Sequence, residues 1–127
     1  MPIAYWCLLI AGVLPVATVA VAKWGARDFD NKEPRRWLEK QDGLRRRADA
    51  AHRNHFEAFP FFAAGILVAE QLAASQGIID ALAITYILVR IIYTLLYLTN
   101  KATLRSVAWL ISYVIVIALF CIGANAS

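Results

Sequence analysis

Three long stretches with almost no charge constrain the fold of this chain more than any other feature. Residues 3–22 and 106–126 carry no charged side chain, and residues 81–100 carry only Arg90. A helix needs about twenty apolar residues to cross the hydrocarbon core of a bilayer. A fourth apolar stretch, residues 58–69, is shorter but continues a helical pattern. The sequence therefore predicts an all-α integral membrane protein, a bundle of four transmembrane helices.

Composition agrees with this prediction and indicates one domain. Of the 127 residues, 61% are hydrophobic, and a soluble domain of this size cannot bury so much apolar surface. We predict a single membrane domain, residues 1–127, with a cytoplasmic loop at about 24–44 in which a short helix can follow Pro34. No Lys or Arg precedes the first helix as in a signal peptide, so we expect it in the mature protein. The predicted helices lie near residues 3–23, 45–74, 78–99 and 103–124.

The uneven distribution of Lys and Arg predicts the orientation of the helices. Ten of the 13 lie in residues 23–53, Lys101 and Arg105 flank the third connection, and the second connection has none. Because positive loops stay on the cytoplasmic side, we expect the first and third connections in the cytoplasm and both termini in the periplasm of a bacterial inner membrane. The basic segment has no nucleic-acid-binding motif, so nucleic acid is not an expected partner.

The two cysteines, Cys7 and Cys121, lie near the same predicted end of the first and last helices. We interpret both as small apolar core residues. The alternative is a disulfide, which requires Cα atoms within about 7 Å. Without a CxxC pair or a His/Cys ligand spacing, no metal site is predicted.

Polar residues recur on one face of each of the last three helices, because residues three, four or seven apart share a helix face. At roughly 1.5 Å per residue, Glu57, Tyr97 and Arg105 all lie roughly 24–28 Å from the periplasmic ends of their helices, and Arg90 roughly 18 Å. Three helices thus bring polar groups to one band in the inner leaflet. The polar faces consist of Arg53, Asn54 and Glu57 on the second helix, Tyr86, Arg90, Tyr93 and Tyr97 on the third, and Arg105, Trp109, Ser112 and Tyr113 on the fourth.

Most of these residues also have a purely structural interpretation. Arg53 and Glu57, one turn apart, can pair with each other. Arg105 is close enough to the surface to extend toward the headgroups, and Tyr93 and Tyr97 can be interfacial anchors. Taken together, the band favours a polar site.

Arg90 differs from the other polar residues because it lies too deep to reach water. It therefore needs a partner, and we predict a buried pair with Glu57 or a bound anion. His52 and His55 lie partly off the polar face, so neither is assigned a catalytic role.

Three stretches of this sequence resemble the membrane-associated proteins in eicosanoid and glutathione metabolism, the MAPEG family. They are AAHRNHFEAFPFF (50–62), RIIYTLLYL (90–98) and LRSVAW (104–109). The resemblance implies a left-handed four-helix bundle that assembles as a homotrimer, with glutathione as cosubstrate between neighbouring subunits. The partners it implies are further copies of the chain, membrane lipid and a lipophilic small molecule.

The resemblance also implies roles for individual residues. Arg105 matches an arginine that favours the glutathione thiolate and is the candidate catalytic residue. Ala50 stands where some members have an arginine that binds glutathione, and Trp109 where some have a tyrosine near the ligand. The glutathione-binding candidates are Arg53, Asn54 and Glu57, with Tyr93, Tyr97 and Trp109 lining the site and Arg90 supporting it.

Two classes of function follow from the resemblance. The first is a glutathione-dependent membrane transferase or peroxidase that acts on a lipophilic electrophile. The alternative is a non-catalytic membrane scaffold or accessory subunit, which Ala50 and Trp109 favour. A small multidrug transporter is a third option, but such proteins usually need a carboxylate in the first helix, and residues 3–22 have none.

Overall fold

A computed structural model describes residues 1–126 and contains five α-helices and no strand in this range. The predicted all-α fold is confirmed for these residues. The predicted helix bounds lie within one turn of the observed ones, and Ser127, the last residue of the predicted domain, lies outside the described residues. The helices are α1 (Ile3–Lys23), α2 (Pro34–Glu39), α3 (Gly43–Gln71), α4 (Gln76–Leu98) and α5 (Ala102–Ala126).

Three of the described helices are long and apolar enough to cross a membrane, namely α1, α4 and α5. The prediction of four membrane helices is confirmed for these three. Helix α3 is the longest, with 29 residues, but the many charged residues of its first half lower its overall hydropathy. Large apolar side chains on the outside of the long helices are about half exposed, and surface of this kind usually contacts lipid or another protein. They include Leu9, Val13, Leu67, Leu88, Leu95 and Leu110.

Two hydrogen bonds fix the relative directions of the helices. The Ala4 N–H donates to Asp80 Oδ1 at 3.0 Å, so α1 and α4 begin at the same end of the bundle. At the opposite end, Arg47 donates from Nε and Nη2 to the Leu98 carbonyl, both at 3.3 Å, so α3 begins where α4 ends. We call this opposite end, with α2 and residues 24–47, the charged end, and the other the far end.

Tight turns join α3 to α4 and α4 to α5. Ala73 and Asn100 adopt the left-handed conformation, with φ of 55° and 60°. The next N–H then bonds back into the helix, as from Lys101 to the Leu96 carbonyl at 2.9 Å. This arrangement satisfies carbonyls at the helix end. The turns make each of the helices α3, α4 and α5 antiparallel to the one before it. This arrangement brings their polar faces to the same level.

Close apolar packing fills the half of the bundle toward the far end. Phe62 is fully buried and stacks on Tyr86 with ring centroids 3.8 Å apart. Gly65 allows α5 to approach α3, because a Cβ there would lie 3.2 Å from Val116 Cγ1. Gly123 has the same effect from α5, since its Cβ would lie 3.4 Å from the Ala69 Cα. Small residues commonly permit such approach in membrane bundles.

The short helix predicted after Pro34 is present as α2. Proline is favoured at the first position of a helix because its missing N–H has no partner there. Trp37 and Leu38 of α2 are buried against Ala22 and Ala48, at the charged ends of α1 and α3. Part of the predicted irregular loop is therefore folded against the bundle.

Both cysteines are free thiols, Cys7 buried and Cys121 exposed. The interpretation as core residues is correct for Cys7, which belongs to the main apolar core. It is wrong for Cys121, because α5 turns this position to the outside of the described chain.

Candidate functional site

A groove of about 410 Å³ lies near the charged end and is lined by α3, α4 and α5. Seven of the eight site residues predicted from the sequence contribute to its wall, and the structure thus brings them together. Ala50 and Ser106 complete the lining. The seven are Arg53, Asn54, Glu57, Tyr93, Tyr97, Arg105 and Trp109.

Arg53 is positioned by carboxylates outside the predicted polar face. Its Nε lies 3.2 Å from Asp49 Oδ2, one turn earlier in α3, and its Nη2 lies 3.9 Å from Glu39 Oε1 at the end of α2. The alternative pairing of Arg53 with Glu57 does not occur in the described residues. Glu57 is exposed and has no ion pair there, so its carboxylate remains available to a ligand.

Two tyrosine rings lie between two arginines along the α4 side of the site. The Arg105 guanidinium lies 4.3 Å from the ring centroid of Tyr97, and the Tyr97 ring meets that of Tyr93 edge-on at 5.7 Å. The Arg90 guanidinium lies 4.3 Å from the Tyr93 ring on the inner side. Cation–π contacts of this kind hold each guanidinium over a fixed surface. Arg105 therefore stays within the groove wall.

The predicted ion pair between Arg90 and Glu57 is wrong. Arg90 is only 1% exposed, and its Nη2 donates to Asn54 Oδ1 at 2.8 Å. Nη2 and Nε also lie 2.8 Å and 3.3 Å from His55 Nδ1. Neighbouring helix positions differ by about 100° in direction. Helix α3 is rotated so that Asn54 and His55 face α4, whereas Glu57 faces the groove.

The surrounding hydrogen bonds fix the tautomer of His55. The Thr94 hydroxyl donates to the Arg90 carbonyl at 2.8 Å, so Thr94 Oγ1 must accept from His55 Nε2, which lies 2.8 Å away. The ring proton is therefore on Nε2, and Nδ1 offers its lone pair to Arg90. The result is a closed network in which His55 is neutral and Arg90 is immobilised.

His55 is the buried partner of Arg90 that the sequence interpretation missed. It is 3% exposed and lies at the centre of the network. Thr94 could have indicated a polar partner such as His55, because it is a polar residue one turn after Arg90 within an apolar helix. Two polar positions on that face of α4 require polar partners on α3.

A second, half-open pocket of about 240 Å³, which we call the chamber, adjoins the groove toward the far end. It shares Asn54, Glu57 and Trp109 with the groove. Arg90, the eighth predicted site residue, forms part of its wall, and its Nη1 is buried without a hydrogen-bond partner among residues 1–126. The residues that line the chamber but not the groove are Ala58, Phe61, Tyr86, Arg90, Ser112, Tyr113 and Val116.

The groove and the chamber differ in the chemistry of their walls. Within residues 1–126, no three His, Cys, Asp or Glu side chains are arranged to hold a metal ion. The groove offers guanidinium and amide donors together with one free carboxylate, which suits a ligand that carries both signs of charge. The chamber wall is mainly aromatic and apolar.

Helices long and apolar enough to cross a membrane, arranged around a groove with polar and aromatic walls, define this chain as an integral membrane protein. It belongs to the MAPEG family, whose sequence profile matches residues 3–125, essentially the whole chain. The family resemblance inferred from the three stretches is thereby confirmed. The family includes glutathione transferases and peroxidases as well as non-catalytic members. The chain has no significant match among curated proteins or among solved structures.

Proposed function

We propose that the groove binds glutathione and that the protein is a glutathione-dependent transferase or peroxidase for lipophilic electrophiles. The observation that carries this proposal is the convergence of two arginines, an amide and an unpaired carboxylate around one groove of about 410 Å³. Glutathione has two carboxylates, one ammonium group and a thiol. Arg53 suits a carboxylate because guanidinium binds carboxylates in a bidentate manner, and Glu57 suits the ammonium group.

Arg105 is the proposed catalytic residue because it can stabilise the thiolate. A free thiol has a pKa of about 8.5, and a cationic neighbour lowers it. A decrease of about two units needs about 2.7 kcal/mol of preferential interaction with the thiolate. One guanidinium in a partly dehydrated groove is sufficient, since charge interactions strengthen as the effective dielectric constant falls.

The proposed assembly is a homotrimer of four-span subunits. Because α1 and α4 begin at the same end, α3 must return the chain across the bundle between them. This requirement supports α3 as the fourth span, with its charged half projecting beyond the bilayer. The excess of Lys and Arg at the charged end supports a cytoplasmic location for that end and periplasmic termini. Native mass spectrometry in mild detergent should give the mass of a trimer, and a folded monomer would contradict this assembly.

Titration with glutathione tests the site. In detergent-purified protein we expect heat of binding by calorimetry and near-ultraviolet thiolate absorbance at neutral pH. Arg105→Ala should lose the thiolate signal while retaining measurable binding through Arg53, Asn54 and Glu57. Arg36→Ala is the matched control, because Arg36 is exposed on α2 and, within residues 1–126, its one ion pair is with Glu33. No binding at millimolar glutathione in the wild type would refute the site.

The second candidate function is a non-catalytic scaffold or accessory subunit. Ala50 and Trp109 favour it, because both line the groove at positions where some members have residues that contact glutathione. The same titration separates the two functions. Glutathione binding without a thiolate signal in the wild type would favour the scaffold.

A further inference from the structure

A third open space lies at the charged end and shares no lining residue with the groove or the chamber. Its volume is about 650 Å³, within the usual range of roughly 300–1,000 Å³ for sites that bind organic ligands. Four of its six lining residues are apolar, and the other two carry opposite charges. We call this space the Trp24 pocket, and its lining residues are Ala20, Val21, Trp24, Asp42, Leu44 and Arg45.

The apolar wall of the Trp24 pocket continues along the outer face of α1. Ala20 and Val21 are exposed near the charged end of this helix. Val13, Val16 and Ala17 are also exposed, and they share the face of Ala20 because they precede it by one or two helical turns. An apolar strip therefore leads from the pocket along a helix that is long and apolar enough to cross a membrane. This continuity favours a ligand that has hydrocarbon chains.

Arg45 is fixed at the wall of the pocket with most of its donors free. Its Nη2 donates to the Trp24 carbonyl at 3.2 Å, and its guanidinium lies 5.8 Å from the ring centroid of Trp37. The Trp24 carbonyl is its one hydrogen-bond acceptor within residues 1–126. A guanidinium presents its N–H groups in a planar arrangement that matches phosphate oxygens. Arg45 is therefore suited to a phosphate group.

Asp42 brings the opposite charge to the same pocket. It directly precedes α3, so its carboxylate and the Arg45 guanidinium both lie at the start of one helix. Asp42 Oδ1 lies 3.9 Å from Arg46 Nη1, and both of these side chains are mostly exposed. An exposed ion pair of this kind contributes little, so the carboxylate can accept hydrogen bonds from a ligand ammonium group. A ligand with only negative charge would meet Asp42 as a like charge.

We propose that the Trp24 pocket binds the headgroup of a phospholipid that carries a primary ammonium group, as in phosphatidylethanolamine. The phosphate contacts Arg45, the ammonium group donates to Asp42, and an acyl chain follows the apolar strip on α1. Trp24 is 82% exposed beside these charges, and tryptophan is enriched at the depth of the lipid headgroups. A choline headgroup has no N–H to donate, and phosphatidylglycerol has no cation for Asp42. The site is separate from the groove and does not depend on glutathione.

Competition among lipids with identical acyl chains tests the phosphate contact. Detergent-purified protein is mixed with equal amounts of dioleoyl phosphatidylethanolamine, phosphatidylglycerol and phosphatidylcholine, and bound lipid is measured by native mass spectrometry. We expect phosphatidylethanolamine to predominate, and Arg45→Ala to lower its binding about tenfold, the usual effect of losing a hydrogen bond between charged groups. Arg36→Ala removes the same charge from an exposed position outside the pocket and should change nothing. Preference of the wild type for phosphatidylglycerol, or unchanged binding in Arg45→Ala, would overturn the proposal.

The second test isolates the ammonium contact. Asp42→Asn removes the charge of an exposed side chain and keeps its size. In the same competition, we expect the ratio of bound phosphatidylethanolamine to phosphatidylcholine to fall about tenfold, because both lipids keep the phosphate but only one donates to Asp42. Asp28→Asn is the control, since Asp28 is exposed and does not line the pocket. An unchanged ratio in Asp42→Asn would overturn the proposal, and if Arg45→Ala does not fold, this variant decides alone.

Discussion

The two halves of α3 are held in the bundle by different physical means. Toward the far end, Phe62 stacks on Tyr86 of α4, and Gly65 lies against Val116 of α5. Toward the charged end, Asn54 and His55 are held by directional hydrogen bonds to Arg90. Apolar contacts hold the first of these halves, whereas a hydrogen-bonded network fixes side chains beside the groove in the second. Apolar packing and directional hydrogen bonds thus hold different halves of one helix.

Removal of a buried ring from the packed half of α3 should have the largest effect on the free energy of unfolding. Phe62→Ala should lower the free energy of unfolding by about 3–5 kcal/mol, because truncation of a buried aromatic side chain leaves a cavity. Phe56→Ala is the control, since Phe56 is 52% exposed on the same helix. Unfolding followed by circular dichroism in mild detergent measures both. Similar losses in the two variants would show that the packing around Phe62 is not the main source of stability.

In the polar half of α3, substitutions of hydrogen-bonded partners should have strongly non-additive effects on the free energy of unfolding. Arg90→Leu leaves Asn54 and His55 without a donor, at a cost of about 2–3 kcal/mol in unfolding free energy. His55→Leu should cost a similar amount, and the double variant should cost less than the sum by about 1–2 kcal/mol. Glu57→Leu should add to Arg90→Leu within about 0.5 kcal/mol, since the two do not pair. Coupling to Glu57 larger than coupling to His55 would contradict the network.

The smallest effect concerns the close approach of α3 and α5. Gly65→Ala should destabilise by about 1–2 kcal/mol, because the new Cβ would meet Val116 at 3.2 Å and overpack the contact. Gly77→Ala is the matched control on α4, with no heavy atom within 4 Å of the added Cβ. It should be neutral, or stabilising by up to about 1 kcal/mol through reduced chain entropy. A stabilising effect of Gly65→Ala would show that the contact between α3 and α5 can accommodate an added methyl group.

Helix periodicity explains why residues one turn apart reach the same groove. Arg53 and Glu57 are one turn apart on α3, and Tyr93 and Tyr97 are one turn apart on α4. Such pairs share a face in any regular helix, and all four reach the groove. Arg90 was recognised as needing a partner, because a deep charge cannot remain alone. The predicted partner, Glu57, was wrong, because the choice of partner depends on how far α3 is rotated toward α4.

The sequence by itself determined the all-α fold, the extent of the long helices and the level at which polar residues meet. These properties follow from rise per residue and from apolar length, which are local. The tertiary structure decided that Arg90 bonds to Asn54 and His55, that Glu57 remains unpaired, and that a chamber lies beside the groove. The physical reason is that rotation and spacing of helices depend on distant contacts, such as Gly65 against Val116. Rotation of a helix by one residue position turns each side chain by about 100° about the helix axis, which is enough to exchange one partner for another.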